Sequence, residues 1–351
     1  MKHCLTLLLI AIGSTSAFSQ SVITRISGGE TYFYYSTLNS ASFIQNVITD
    51  AEHGDTIILP GGLFNINSTN LVINKQLVFF GAGIHLDSTA VTGRTILETK
   101  NGYKVLLSFG ANQVEFHGIS FTEGSIMATD QVNGLTFVRC DIYILRLHSF
   151  GTFNGLVSNL LIQECVINAY VEIDGADNVL ITNSVVKHMS YAQSGVTVQN
   201  CLLLDYDQNT TTSNSSVIYR NNIFTRNIAG TYNIIENSTF QNNLWILKPG
   251  ASLMLPGGLS TNKVTTNISN VFVSPPSYTD FDFRGNYDLK TGTEYTTMGT
   301  DGREVGIYGG LNPLKDGFHP LNPHWQQLDI PNGTSGGVMN NVVIKASAQN
   351  N

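Results

Sequence analysis

The sequence predicts an all-β protein: a right-handed single-stranded parallel β-helix, a solenoid of about ten coils with a short N-terminal helical cap. Three observations predict it. An eight-residue apolar pattern keeps returning along the middle of the chain. No stretch between Phe109 and Trp245 sustains a helical period. Asn and Gly, which serve tight turns, are abundant, with 35 and 33 copies among 351 residues.

The pattern is apolar, any, apolar, any, small or polar, variable, any, apolar. It runs over Val114 to Phe121, Leu135 to Ile142, Leu160 to Ile167, Val179 to Val186, Val196 to Leu203, Val217 to Phe224 and, more weakly, Asn233 to Phe240. Successive starts are 21, 25, 19, 17, 21 and 16 residues apart. Each copy reads as two short strands joined by a turn at positions five and six. Neither strand can bury its apolar face alone, whereas stacking turn on turn at about 4.8 Å buries it continuously. Leucine-rich repeats have a similar length, but their fixed leucine frame is absent.

The turn positions agree. Asn183, Asn200, Asn221 and Asn237 fall at position five, where a sharp turn needs the left-handed backbone that Asn tolerates. Position six reads Ile119, Cys140, Cys165, Ser184, Cys201, Asn222 and Ser238. Three cysteines thus share one column and read as small buried residues rather than a disulfide framework.

Residues 1–19 read as a signal peptide. Met1-Lys2-His3 is the basic start, Leu5 to Ile12 the apolar stretch, and Ala17 and Ser19 the small residues before cleavage at Gln20. A membrane anchor would need about 18 or more apolar residues. No later segment reaches that length, so a secreted, cell-surface or periplasmic protein with no membrane span is expected. A net charge of −7 without any basic block argues against nucleic acid. A monomer is expected. The remaining layout is an N-terminal segment and cap over 20–50, the β-helix over 51–325 and a C-terminal β tail over 326–351. Tyr32, Phe33, Tyr34 and Tyr35 read as part of the cap, and Trp245 and Trp325 as seals of the C-terminal end.

Ala51 to Gly62 (AEHGDTIILPGG) resembles the opening segment of pectin-lyase-like β-helix proteins, in which a helix, here about Ser40 to Asp50, plugs the end of the coil. Leu71 to Gly81 looks like the coil that follows. Tyr287 to Thr293, Gly299 to Gly302 and Gly306 to Gly310 resemble the closing coil of exported bacterial right-handed β-helix proteins. The resemblance spans roughly residues 30–325 and implies the fold, not an activity. The Arg-x-Pro-x-x-Arg segment of the lyases is missing, as are the Asn-Thr-Asp, Asp-Asp and Gly-His-Gly segments of the polygalacturonase-like hydrolases.

The alternation places one polar cluster outside. With Leu145, Leu147, Val171 and Ile173 pointing in, Arg146, His148, Glu172 and Asp174 point out, followed by Lys187 and His188 and then by Asp205 and Asp207. Stacked, they could line a groove that holds an extracellular polysaccharide, with Arg146 or Lys187 neutralising a uronate and a histidine taking the adjacent proton. Arg146, His148, Glu172, Asp174 and His188 are therefore the catalytic candidates of a polysaccharide lyase or glycoside hydrolase. Asp205 and Asp207 are weak candidates for calcium, two carboxylates falling short of a full site. The simpler alternative is that opposite charges only pair across adjacent coils, Arg146 with Glu172 and His148 with Asp174. Without a catalytic signature, a non-catalytic protein that engages polysaccharide or a surface partner along its stacked faces is favoured.

Overall fold

In the computed structural model, the repeated pattern folds as two strands per turn that stack into a parallel β-solenoid. It describes the chain apart from residues 1–20, 37–38, 88, 90–91, 148–156, 175, 191, 193–194, 207–215, 228, 234–236, 256–258, 316–317, 319–323, 330–341 and 348–351. The expected signal peptide, His148 and Asp207 lie outside the described residues.

Positions one to four form the first sheet. Its parallel run starts at Asp55–Ile58 and ends at Thr239–Gln241, nine strands and hence eight complete circuits. The register is that of the sequence pattern: Leu135 pairs with Val114 and Leu160, and Phe137 with Phe116 and Ile162. The second sheet begins at Gly62–Ile66 and ends at Lys263–Thr265. The stack is shorter than the ten coils expected because both ends of the chain do other work. Upstream, the antiparallel hairpin Ser21–Ser27/Glu30–Ser36 closes the first sheet by pairing with Asp55–Ile58. Tyr32 to Tyr35 lie on its outer strand.

The helix Ala41–Asp50 follows. The Ser40 hydroxyl caps it by accepting the Phe43 N–H at 3.3 Å, and Ala41, Ile44, Val47 and Ile48 are buried against the first turns. At its other end the Lys75 ammonium donates to the carbonyls of Ile48, Thr49 and Ala51, a cation placed where the helix dipole is negative.

Positions one, three and eight fill the interior. Phe79, Phe116 and Phe137 stack at 5.2 Å per step, and Phe224 lies 3.9 Å from Trp245. Trp245 is fully buried at position eight of a turn, not at an end seal. The final copy is accordingly Ser238 to Trp245, because Tyr219 pairs with Phe240. The expected copy at Asn233 to Phe240 is out of register. Asn242 and Asn243, rather than Asn237 and Ser238, occupy the two turn positions.

Position five is left-handed from turn to turn, with φ between 47° and 65° at Gly118, Arg139, Glu164, Asn183, Asn200, Asn221 and Asn242. Position six forms a hydrogen-bond ladder. Four backbone N–H groups donate to the side chain one turn on: Cys140 to Cys165 Sγ (3.4 Å), Cys165 to Ser184 Oγ (3.0 Å), Cys201 to Asn222 Oδ1 (2.9 Å) and Asn222 to Asn243 Oδ1 (2.9 Å). Cys140, Cys165 and Cys201 share this column, free and fully buried. Desolvation pushes the Cys201 thiol up to about 12 and the Cys165 thiol well above its ordinary value.

Residues 268–315 leave the stack and run back along the outside of the second sheet as a strap. Position seven, outward-facing, is apolar wherever the strap covers it: Val166, Val185, Leu202, Ile223 and Leu244 join Phe272, Leu289 and Ile307 in a second core. Asn183 donates to the carbonyls of Ile307 and Gly309, and the Asn221 side chain both donates to and accepts from Thr300. At Gly310 a Cβ would sit 2.1 Å from Asn200 Nδ2, so only glycine permits this approach. Near its middle the strap reaches the N-terminal turns, where Arg284 binds Asp87 at 2.8 Å and the Phe283 carbonyl meets His85 Nε2 at 2.9 Å.

Candidate functional site

The strap covers Val166 and Val185 at the start of the strands Val166–Glu172 and Val185–Ser190, and it stops short of the two strands before them, Ser120–Ala128 and Asp141–Arg146. At position seven these two carry Ser120 and Asp141 where the later turns carry Val, Leu or Ile. One or two residues further on, each pairing of these strands shifts register. Phe121 and Ser125 face Ile142 and Ile144, which face Ile167 and Tyr170, which face Val186 and His188. Stacked bulges of this kind bend the strands and re-aim side chains. The residues within them are Thr122, Glu123 and Gly124, then Tyr143, then Asn168 and Ala169, then Lys187. Glu123 takes a left-handed backbone with φ of 63°.

A cleft of about 440 Å³ opens there, lined by Phe121, Thr122, Glu123, Asp141, Tyr143 and Asn168. Asp141 is 6% exposed, and desolvation raises its carboxyl to about 6 against the opposing pull of the Arg94 charge, the Ser120 hydroxyl and the Asn168 amide. Asn168 Nδ2 donates to Asp141 Oδ1. A carboxyl raised this far at the wall of a cleft is moved toward the range a general acid needs.

Beyond the bulges the strands alternate as the sequence requires. Leu145, Leu147, Val171 and Ile173 are buried, and Arg146 and Glu172 face out. Arg146 Nε donates to Glu172 Oε2 at 2.9 Å and its Nη2 to the Tyr170 hydroxyl at 2.6 Å. The expected cross-coil pairing of Arg146 with Glu172 is therefore formed. His188 is the register partner of Tyr170 on the next turn. Asp174 lies just past the end of the Glu172 strand, half-buried. Lys187 is drawn to the strap, 3.2 Å from Asp280.

The other candidates do not join them. Asp205 sits beside the strap, its amide donating to the Tyr278 carbonyl and its carboxylate accepting the Asn227 N–H. Among the described residues no three His, Cys, Asp or Glu side chains gather as a metal site. Sequence reasoning missed Asp141, Tyr143 and Asn168. The signal available was the switch at position seven from Ser120 and Asp141 to an unbroken apolar column.

These features define a parallel β-solenoid with one strapped face and one open, polar, aromatic-bearing face. No protein-family model matches the chain, and no curated protein matches it.

Proposed function

We propose that this is an exported, pectin-lyase-like β-solenoid that engages an extended extracellular polysaccharide along the face formed by Ser120–Ala128, Asp141–Arg146 and the outer part of Val166–Glu172. The observation that carries the reading is the row of Tyr143, Tyr170, Asn168 and the Arg146–Glu172 pair, held at inter-turn spacing beside an open cleft. Aromatic rings, planar amides and paired charges together suit the apolar faces and hydroxyl edges of sugars. A repeating ligand also suits a repeating scaffold.

A glycan array with and without calcium, followed by titration of the best glycan, tests this. Tyr143→Ala with Tyr170→Ala is expected to weaken binding at least tenfold without altering the thermal midpoint by more than a few degrees. Retained affinity in that double variant, or an array with no glycan bound, removes the reading. A net charge of −7 predicts that a polyuronate, if it is the best glycan, needs calcium as a bridge.

The raised Asp141 carboxyl beside the cleft favours one further reading, cleavage of the bound chain with Asp141 as acid and His188 or Glu172 assisting. Reducing-end and unsaturated-product assays on the bound glycan read it directly. Product that disappears in Asp141→Asn supports cleavage, and binding without product leaves a binding protein.

A further inference from the structure

A second cleft, of about 480 Å³, opens where the chain at Phe109 to Asn112 and at Asp130 to Gln131 leads into strands of the first sheet. We infer that it is a binding subsite for a neutral pyranose, with Phe109 as the stacking platform and Asp130, Asn112 and Asn133 as the hydroxyl partners. The inference rests on the glycan reading above and adds to it a separate site and a ligand class.

Phe109 is 84% exposed, yet the turn that carries it is fixed. Its N–H donates to Asp130 Oδ2 at 3.1 Å, Ser108 N–H donates to the Ile73 carbonyl at 2.9 Å, and Ala111 N–H to the Ser108 carbonyl at 2.9 Å. Gly110 follows with φ of 96°, and a Cβ there would lie 2.4 Å from the Asn74 carbonyl oxygen. A large apolar ring is thus presented to solvent by a backbone that cannot easily fold it away. Such a ring suits a ligand with an apolar face, and the C–H face of a pyranose is one.

The polar partners are equally placed. Asn133 Oδ1 accepts from Ser158 Oγ at 3.2 Å and from Asn159 Nδ2 at 2.6 Å, and Asn112 Oδ1 accepts the Asn133 N–H at 2.9 Å. These bonds aim the Asn133 and Asn112 amide groups and leave their own N–H donors for a ligand. Asp130 supplies a carboxylate acceptor. None of the lining side chains is basic, so a uronate would meet Asp130 without a compensating cation, and a neutral sugar is selected.

The test uses defined probes: a β-1,4-linked glucose hexasaccharide, a xylose hexasaccharide and a galacturonate hexasaccharide. Each is titrated into the full-length protein by calorimetry and followed by proton NMR. At least one neutral probe should bind more tightly than the galacturonate, with upfield ring-current shifts on its axial protons. Those shifts should vanish in Phe109→Ala with at least a tenfold loss of affinity, and return in Phe109→Trp. Asp130→Asn should weaken the neutral probe and narrow its preference over the galacturonate. Unchanged affinity in Phe109→Ala overturns the subsite while leaving glycan binding at the open face intact. Tighter galacturonate binding that survives Phe109→Ala does the same, and binding of no probe by the parent protein overturns the subsite, the open face being decided by the array.

Discussion

Asp141 is a single buried carboxyl whose environment the fold has set against its charge. Desolvation outweighs the help of Arg94, Ser120 and Asn168, and the folded protein holds this proton up to about pH 6, while the unfolded chain releases it near the ordinary carboxylate value of 3.8. Between those two values unfolding releases a proton, so stability falls as pH rises through that window and levels off above it. The size is on the order of 2–3 kcal/mol from a shift of about two pH units. Urea midpoints measured from pH 4 to pH 8 should show that decline in the parent protein and a shallower one in Asp141→Asn. The variant should also be the more stable of the two at pH 7. An Asp141→Asn profile parallel to the parent's would mean that another group titrates.

The ladder at position six is the element that holds successive turns in step, and its members are chemically interchangeable only in part. Cys201 lies between Ser184 and Asn222, and its side chain donates to the carbonyls of Ile181 and Gln199, a role that a hydroxyl can also fill. Cys201→Ser should therefore change stability by less than about 1 kcal/mol. Asn222→Ala removes the acceptor of the Cys201 N–H and the donor to the Val198 carbonyl, at 2.9 Å each, in a fully buried position. Two buried groups then lack partners, and a loss of about 3 kcal/mol is expected in chemical denaturation. Equal losses in the two variants would show that packing, not hydrogen bonding, sets the column.

This element also shows what could be read from the residues alone. Alternation and the recurring Asn exposed the strands, the turns and the Cys column, because each depends on a local period of two and a local left-handed turn. The copy at Ser238 to Trp245 escaped because Ser238 is polar at position one. The bulges escaped because an inserted Tyr143 or Asn168 leaves no apolar mark. The Asp141 cleft stays open because the strap stops short of it, and that follows from where residues 268–315 return, which no local pattern encodes. Arg146 with Glu172 was legible, since alternation alone puts both outside on neighbouring turns.

For the whole molecule the strap changes the kind of protein this is. A bare solenoid is held by contacts between neighbouring turns and can unfold piecewise. Here Ile307 and Gly309 bind Asn183, Thr300 binds Asn221, and Arg284 binds Asp87, so turns far apart share one partner. Scanning calorimetry of the parent should give a single transition. Ile307→Asp places a charge in the buried outer cluster and should loosen the strap. The transition should then split or broaden, with amide exchange rising first at Val166, Val185 and Leu202. A sharp single transition in Ile307→Asp would show that the turns cooperate without the strap.

The ion pair between Asp87 and Arg284 joins residues 197 positions apart. A ribosome that has just finished the early turns has still to make the segment that fastens them. The outer apolar column of Val166 to Leu244 stays bare for the same interval. The cover therefore arrives last, and the finished solenoid locks only once the far end of the chain has been made. Contacts of such separation slow folding in general. In this molecule the delay is written into the order of the chain itself, with the fastener made after everything it fastens.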